Sequence, residues 1–215
     1  MNHNFKNIIF DFGGVIIRID YQRIAATFNK FGVGDFEAFY SQLHQDTLFD
    51  DFEKGLITPE KFRERIREVS GIPITDSQVD EAWNAILIDL PEKNIEALAR
   101  LKKSHRIFLL SNTNAIHEKA FMEIVFRDYG TNVLTETFEK IYFSHQMKMR
   151  KPDREIFEMV LRENNLLAAE TLFVDDSLQH IEGAKNAGLQ TLFVEKGKMV
   201  ADYWPPNPQR GNSGN

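Results

Sequence analysis

The sequence predicts an α/β protein with a doubly wound parallel sheet and an inserted α-helical segment. From residue 91 to 196, short apolar segments alternate with amphipathic helical patterns. Most of the apolar segments are near-continuous runs, as expected for strands that are covered on both faces of a parallel sheet. Residues 21–89 instead repeat apolar residues at helical spacing and contain no convincing strand. We therefore expect a helical insertion after the first strand.

Five segments are predicted to be buried strands. Each is short, rich in Ile, Val, Leu and Phe, and ends in small or polar residues. In a doubly wound sheet ligands bind beyond the carboxyl ends of the strands, so the residues that follow each segment are the candidates for function. The predicted strands are Asn7–Phe12, Arg106–Asn112, Lys140–Ser144, Thr171–Asp176 and Gln190–Glu195.

Helices are predicted between the later strands and throughout the insertion. In the sheet region Gly188 is the expected residue after a helix C-terminus, and in the insertion Thr58-Pro59-Glu60 is an N-terminal signal. The insertion is interpreted as a lid over the strand ends, with extra core scaffolding as the alternative. The predicted helices are Pro91–Lys103, Pro152–Glu163, Ser177–Ala187, Tyr21–Phe31, Phe36–His44, Thr58–Val69 and Asp76–Leu87.

This pattern divides the chain into three parts. Residues 1–20 and 90–200 form the predicted core domain, and residues 21–89 form the predicted helical cap. Residues 201–215 end in PPNPQRGNSGN and are predicted to be a flexible tail, because Pro, Gly and Asn dominate them.

Composition excludes several classes of function. The 215 residues contain no cysteine, which excludes disulfides, thiolate metal sites and a cysteine nucleophile. A net charge of -6 disfavours binding to nucleic acid or to an anionic membrane surface. No basic leader with an apolar stretch and no run of about 20 apolar residues is present, so we expect a soluble, cytoplasmic protein. The sequence leaves monomer and homodimer both open.

Polar groups suited to phosphoryl chemistry follow four of the predicted elements. Asp11 stands after IIF and before two glycines, and Ser111-Asn112 follows IFLL. Lys151 precedes Pro152 at a helix start, where a cation and free backbone N–H groups favour an anion. Asp175-Asp176 follows TLFV. Singly, each is an ordinary turn or cap; together, at one edge of a parallel sheet, they predict a cation pocket beside a phosphate pocket.

The order of these groups resembles the four motifs of the haloacid dehalogenase-like (HAD) hydrolase superfamily. That family has an aspartate after the first strand, then a Ser or Thr, a Lys, and paired acids. The resemblance covers residues 5–196 and is closest to bacterial α-D-glucose-1-phosphate phosphatase-like members with a helical cap. The segments that carry it are DFGGVIIRID, LLSNTN, MRKPDREIF and FVDDSLQHIEGAKNAG.

The resemblance implies a magnesium-dependent phosphatase of small phosphorylated metabolites, such as sugar phosphates. Asp11 would attack phosphorus and form an aspartyl phosphate. Mg²⁺, which favours oxygen ligands, would be held by Asp11, the carbonyl of Gly13, Asp176, and Asp175 directly or through water. The phosphoryl oxygens would be held by Ser111, the backbone N–H of Asn112, and Lys151.

One position departs from the commonest pattern of the family. Most of its phosphatases carry a second aspartate two residues after the nucleophile, which serves as general acid and base, whereas this chain has Gly13. The glucose-1-phosphate phosphatases that it resembles also have glycine there. Such acid–base groups are worth about 10² to 10⁴ in rate, so another proton source, a good leaving group or slow turnover is expected. The replacement acids considered are Asp20, His44, Asp50 and His145, each of which has an ordinary structural role as its alternative.

Two other interpretations remain open. HAD dehalogenases also lack the second aspartate, but they need no magnesium, and the adjacent acids Asp175 and Asp176 would then repel an anionic substrate. The other alternative is a catalytically weak member that binds a phosphometabolite or a protein. Trp83, Phe39 and Phe49 are candidates to line a substrate cavity, with a core role as the alternative.

Overall fold

A five-stranded parallel sheet of order β5-β4-β1-β6-β7 forms the centre of the protein. The computed structural model describes residues 5–34, 40, 43 and 47–206. In chain order the elements are β1 (Asn7–Phe10), β2 (Arg18–Ile19), α1 (Gln22–Lys30), α2 (Leu48–Glu53), α3 (Pro59–Ser70), α4 (Asp76–Asn84), β3 (Leu87–Asp89), α5 (Glu92–Leu101), β4 (Arg106–Ser111), α6 (Ala115–Tyr129), α7 (Val133–Thr137), β5 (Lys140–Phe143), α8 (Ser144–Met147), α9 (Arg154–Glu163), β6 (Thr171–Asp175), α10 (Leu178–Asn186), β7 (Gln190–Phe193) and α11 (Val200–Tyr203), with a 3-10 turn at Ala168–Glu170.

The predicted fold class is confirmed. All five predicted strands are present and parallel, and each ends one or two residues earlier than predicted. Successive residues of β1 pack on opposite faces of the sheet: Ile8 and Phe10 belong to one apolar cluster, and Ile9 belongs to the other. Burial on both faces is the reason that these strands are almost uniformly apolar.

The insertion between β1 and β4 has a hydrophobic core of its own. Phe28 from α1, Phe62 from α3 and Trp83 from α4 are buried together in a third apolar cluster. The helices α1, α3 and α4 match the predicted Tyr21–Phe31, Thr58–Val69 and Asp76–Leu87 to within about one turn. Most of the predicted helix Phe36–His44 lies outside the described residues.

Seven of the described strands and α-helices were not predicted: β2, β3, α6 and the short helices α2, α7, α8 and α11. The strands β2 and β3 pair antiparallel where the chain enters and leaves the insertion, and strands of two and three residues are too short to show a pattern. The helix α6 was also missed. Its buried residues contribute to two different apolar clusters. Ile116 belongs to the cluster inside the insertion, called the cap cluster below, and Phe121 and Val125 belong to the cluster around Ile8 and Phe10 of β1, called the sheet cluster. A helix that packs in two directions lacks a single apolar face.

The predicted boundary of the flexible tail at residue 201 differs from the structure. Residues Val200–Tyr203 form α11, and Trp204 packs edge-on against Phe10 with ring centroids 5.9 Å apart. The apolar residues of VADYW contact the sheet core, and this contact outweighs the adjacent prolines. Within the described ranges, no helix is both long enough and apolar enough to cross a bilayer.

Candidate active site

The carboxyl ends of three adjacent strands bring the predicted site residues together. Asp11 follows β1, the central strand, and its backbone N–H donates to the carbonyl of Val174 in β6 at 2.9 Å. Ser111 is the last residue of β4, and Asp175 is the last residue of β6. Because β1 pairs with both neighbours, its end lies between theirs.

Lys151 is the fully buried centre of this group. Its Nζ donates to Oδ1 of Asp11 at 2.6 Å and to Oδ2 of Asp175 at 2.7 Å. The side chain of Asn112 fixes the backbone of Lys151 in both directions: Oδ1 accepts from its N–H and Nδ2 donates to its carbonyl, each at 2.9 Å. Asn112, from the predicted Ser111-Asn112 motif, therefore positions Lys151.

The two carboxylates of Asp11 and Asp175 surround the single ammonium group of Lys151, and this arrangement shifts the pKa values of Lys151 and Asp11. Burial alone would lower the pKa of Lys151, but the carboxylates of Asp11 and Asp175 raise it above its ordinary value. Burial raises the pKa of Asp11, and the charge of Asp175 adds to that rise against the effect of Lys151. Lys151 therefore stays protonated and holds Asp11 by a charge-assisted hydrogen bond.

The donor set at this edge fits a hard divalent cation. Oxygen atoms of Asp11, Asp175 and Asp176 lie within 4.8 Å of one another, and Mg²⁺ binds oxygen ligands at about 2.1 Å, so its ligands stand roughly 3 to 4 Å apart. Burial and the charges of Asp11 and Asp175 raise the pKa of Asp176 to about 7. Bound Mg²⁺ would offset the repulsion that causes this rise.

The two glycines after Asp11 differ in the space around them. Gly14 adopts a φ of +73°, and a Cβ placed on it would lie 2.2 Å from Oδ2 of Asp176. Only glycine lets Asp176 approach the backbone here. A Cβ on Gly13 would meet only the side chain of Ile19, at 3.3 Å from Cδ1.

The loop after β4 is fixed by hydrogen bonds at the start of α6. Ser111 is buried, and Asn114 caps α6 by accepting from the N–H groups of Ile116 and His117 at 3.1 and 3.0 Å. The N–H of Thr113 donates to Oγ of Ser144, whose hydroxyl donates back to the carbonyl of Thr113. The loop is thus fixed beside Asp11, at the positive end of a helix dipole.

A cavity of about 670 Å³ joins these residues to the cap. Asp11, Ser111 and Asp176 line it from the core, and the predicted candidates Phe49 and Trp83 line it from the cap. Phe39, the other candidate, lies outside the described residues. The lid interpretation of the insertion agrees with this arrangement, although the cap cluster shows that it is also a packed core.

Several polar residues of the cavity were not identified from the sequence as part of it. His180 bonds through Nδ1 to Asp175, at 3.0 Å from Oδ2, and its position four residues after Asp176 on α10 was the available signal. Arg150 directly precedes Lys151, whereas the others end no predicted strand. These residues include Tyr21, Glu53, His117, Arg150 and His180.

The replacement acids suggested by the sequence do not line this cavity where the structure describes them. Asp20 accepts from the N–H of Gln22 at 3.0 Å and so begins α1. Asp50 pairs with Arg150, and His145 bonds through Nε2 to Glu118 at 2.8 Å. The structural alternative for Asp20 agrees with this hydrogen bond, whereas His145 lies in the short helix α8 and not in the expected loop. His44 lies outside the described residues.

Comparison with known proteins gives a consistent picture. A family model described as haloacid dehalogenase-like hydrolase matches residues 5–188. A D-ribitol-5-phosphate phosphatase of Bacteroides thetaiotaomicron is 32% identical over 192 residues, which cover 89% of this chain and 93% of the relative. A phosphorylated carbohydrates phosphatase of Thermotoga maritima is 24% identical, with 86% and 83% covered.

Solved structures resemble this chain over most of its length. A HAD family enzyme of Bacteroides thetaiotaomicron in complex with magnesium and inorganic phosphate superposes with a TM-score of 0.80 at 38% identity, covering 90% of this chain and 96% of that one. An L-2-haloacid dehalogenase of Xanthobacter autotrophicus gives a TM-score of 0.60 at 21% identity, with 88% and 77% covered, which is a likeness of fold alone.

Proposed function

The chain belongs to the haloacid dehalogenase-like hydrolase family, and from that premise we propose that it is a magnesium-dependent phosphatase of small, sugar-like phosphorylated metabolites with Asp11 as its nucleophile. Relatives named as phosphatases of D-ribitol 5-phosphate and of phosphorylated carbohydrates support the substrate class. The observation that carries the proposal is the buried Lys151, which bonds both Asp175 and Asp11, and Asp11 lines the cavity.

In this proposal Asp11 attacks the phosphorus atom and the ester oxygen leaves, which gives an aspartyl phosphate that water then hydrolyses to inorganic phosphate. The covalent intermediate divides one difficult displacement into two easier ones, and water attacks only in the second. Lys151 fixes the direction of the Asp11 carboxylate and contributes a positive charge next to the transferring group. Ser111 and the backbone N–H of Asn112, at the end of β4, hold its oxygens together with Lys151.

The proposed metal ligands are Asp11, the carbonyl of Gly13, Asp175 and Asp176. When bound, Mg²⁺ supplies two positive charges that offset the repulsion between these carboxylates and the phosphate. Both carboxylate oxygens of Asp175 already accept hydrogen bonds. Oδ2 accepts from Nζ of Lys151 and Oδ1 accepts from the N–H of Ser177, each at 2.7 Å. Asp176 is the more exposed acid of the pair, which supports Asp176 as the direct ligand.

Release of inorganic phosphate tests this proposal. The substrates are ribitol 5-phosphate, other sugar phosphates and an aryl phosphate, each with Mg²⁺ and with EDTA. We expect turnover only with Mg²⁺, and a loss of at least about 10³-fold in Asp11→Asn, because the covalent path is removed. Asp20→Asn is the matched control, since asparagine can begin α1 as well as aspartate does, and its activity should stay near that of the wild type.

The two alternatives give different outcomes. A dehalogenase would release halide from a 2-haloacid without a metal, and the cluster of three carboxylates argues against an anionic substrate without a cation. A catalytically idle binding protein would bind sugar phosphates and release no phosphate above the Asp11→Asn background.

A further inference from the structure

Glu53 and Arg150 form an ion pair across the two parts of the cavity. Glu53 ends α2 of the cap, and Arg150 directly precedes Lys151 of the core. Oε2 of Glu53 lies 3.0 Å from Nη2 of Arg150, and the side chains are only 27% and 22% exposed. Both residues line the cavity that contains Asp11.

The pair leaves hydrogen-bonding groups unused. Among the described residues, neither Oε2 of Glu53 nor Nε of Arg150 has a hydrogen-bond partner, although both atoms are buried. The short contact between the two side chains is therefore an ion pair whose geometry does not give a hydrogen bond. A buried polar atom without a hydrogen-bond partner destabilises the folded state, so the arrangement calls for an explanation.

The surroundings show which side of the pair faces the chemistry. Burial raises the pKa of Glu53, Asp50 adds to the rise, and the positive charges of Arg150, His180 and Lys151 oppose it. His180 and Lys151 belong to the catalytic end of the cavity, through their contacts with Asp175. Glu53 lines the same cavity as Asp11, so a substrate whose phosphate lies beside Asp11 occupies a cavity that also contains Glu53.

The chemistry of the unused atoms restricts the ligand. One is a carboxylate oxygen, which only accepts, and the other is a guanidinium N–H, which only donates. A hydroxyl group satisfies both at once, because it donates and accepts. An anion would be repelled by Glu53, and an apolar group would leave both atoms unpaired.

The aromatic part of the cavity lining suits the carbon chain of such a ligand. Phe49 stacks on Trp83 with ring centroids 5.2 Å apart, and Trp83 stacks on His117 at 5.1 Å. All three line the cavity together with Glu53 and Arg150. Stacked rings and an acceptor–donor pair in one cavity match a molecule with C–H faces and hydroxyl groups.

We propose that Glu53 and Arg150 together bind a hydroxyl group of the leaving alcohol, so that the enzyme selects polyhydroxylated phosphate esters over plain alkyl or aryl esters. This inference rests on the proposed function, because it identifies the specificity residues of the same site. Since one partner lies on the cap and the other on the core, a bound hydroxyl also joins the two parts around the substrate.

Equilibrium binding tests this without requiring turnover. Calorimetry with Mg²⁺ would compare two phosphonates of equal chain length, one polyhydroxylated and one with no hydroxyl group, because their C–P bonds are not hydrolysed. The wild type should prefer the hydroxylated compound by about tenfold or more, the size of one hydrogen bond to a charged group. Glu53→Ala should remove most of that preference and leave the plain phosphonate bound as before.

Asp50→Ala is the matched control, because Asp50 is the other partner of Arg150 on α2 and does not line the cavity. It should keep the preference. Glu53→Gln, which preserves the shape of the side chain, should lose part of it and guards against a folding defect in Glu53→Ala. The inference would be overturned if the Glu53 variants bound both phosphonates equally more weakly, or if Asp50→Ala lost the same preference. The Glu53–Arg150 ion pair would then have only a structural role.

The outcome separates this inference from the proposed function. Mg²⁺-dependent hydrolysis that requires Asp11, with a preference that does not respond to Glu53, would keep the phosphatase and reject the hydroxyl site. A preference that depends on Glu53, in a protein that releases no phosphate from any ester, would keep the hydroxyl site and reject the phosphatase.

Discussion

A Cβ atom at Gly13 and one at Gly14 would contact very different neighbours, although the two residues are adjacent in the chain. Gly14 needs to be glycine because of its φ of +73° and the carboxylate of Asp176 against it. Gly13 has no such need, since a Cβ there would displace only the end of the flexible Ile19 side chain. The structure therefore offers no steric reason for the missing second aspartate.

Gly14→Ala should weaken Mg²⁺ binding, because the new methyl group takes the place of Oδ2 of Asp176. We expect at least about a tenfold rise in the Mg²⁺ dissociation constant, the usual cost of disturbing a group that orients metal ligands. Gly71→Ala is the control: Gly71 has a similar φ of +65° and nothing within 4 Å of its Cβ. It should lose about 1 kcal/mol of stability through backbone strain and bind Mg²⁺ normally. Equal Mg²⁺ affinities in the two variants would contradict this assignment.

Gly13→Asp should restore the acid that most phosphatases of the family carry. If proton donation to the leaving oxygen limits turnover, kcat on an alkyl phosphate should rise, by up to about 10²-fold. An activated aryl phosphate should gain little, because its leaving group needs little protonation. Parallel kinetics on the two esters measure the difference, and equal gains on both would mean that the new carboxylate acts in another way.

At the scale of single elements, the start of α6 connects core and cap. His117 in its first turn accepts a hydrogen bond from Nδ2 of Asn114 at Nδ1 and donates from Nε2 to the carbonyl of Trp83, both at 3.1 Å. This pattern needs a neutral ring, since a proton on Nδ1 would face the amide donor. Burial lowers the pKa of His117 from 6.5 to about 4.

Acid should therefore weaken the protein through His117. The unfolded chain binds the proton below pH 6.5 and the folded chain only near pH 4, so this stability is complete above pH 6.5 and is lost as the pH falls towards 4. The loss amounts to roughly 3 kcal/mol. Urea unfolding at pH 7 and pH 4.5 should show a smaller decrease in His117→Gln than in the wild type. His105→Gln, at the opposite end of the sheet, should behave as the wild type does.

The sequence predicted the strand-end residues but missed Glu53 of the cap, for a physical reason. Asp11, Ser111 and Asp175 each end a short apolar run, so the parallel sheet alone determines that they meet. Glu53 reaches the cavity only because the α2 region docks on the segment around Lys151, through contacts such as Lys54 with Asp153 at 3.5 Å. That docking depends on tertiary packing, which leaves no periodic signal in the sequence.

At the scale of the whole molecule, the cap and the core each have a hydrophobic cluster, and the cavity lies between them. The missed helix α6 belongs to both clusters, which explains how the two parts are joined without a single continuous core. Prediction of the two parts from sequence was possible because each has its own pattern of elements. The contact between the cap and the core could not be predicted from the sequence in this way.

Enclosure of the site by the cap should exclude large substrates. Free phosphoserine and a folded phosphoserine protein present the same ester, so a comparison of their kcat/KM isolates the effect of size. We expect the small ester to be favoured by about 10³-fold or more, since near-attack geometry is lost when the phosphate cannot reach Asp11. Similar rates on both would show that the cap does not restrict access.

The central position of β1 has a consequence for the order of events during synthesis. Asn7 pairs with Arg106 on one side and with Thr171 on the other, and the loop after Asp11 is bonded by Val200, whose N–H donates to the carbonyl of Val15. Because β1 is synthesised before both of its partner strands, it cannot pair on both sides until β4 and then β6 have been made. A nascent chain stopped before residue 171 would hold Asp11 without β6 and without Asp175, the other carboxylate that Lys151 bonds.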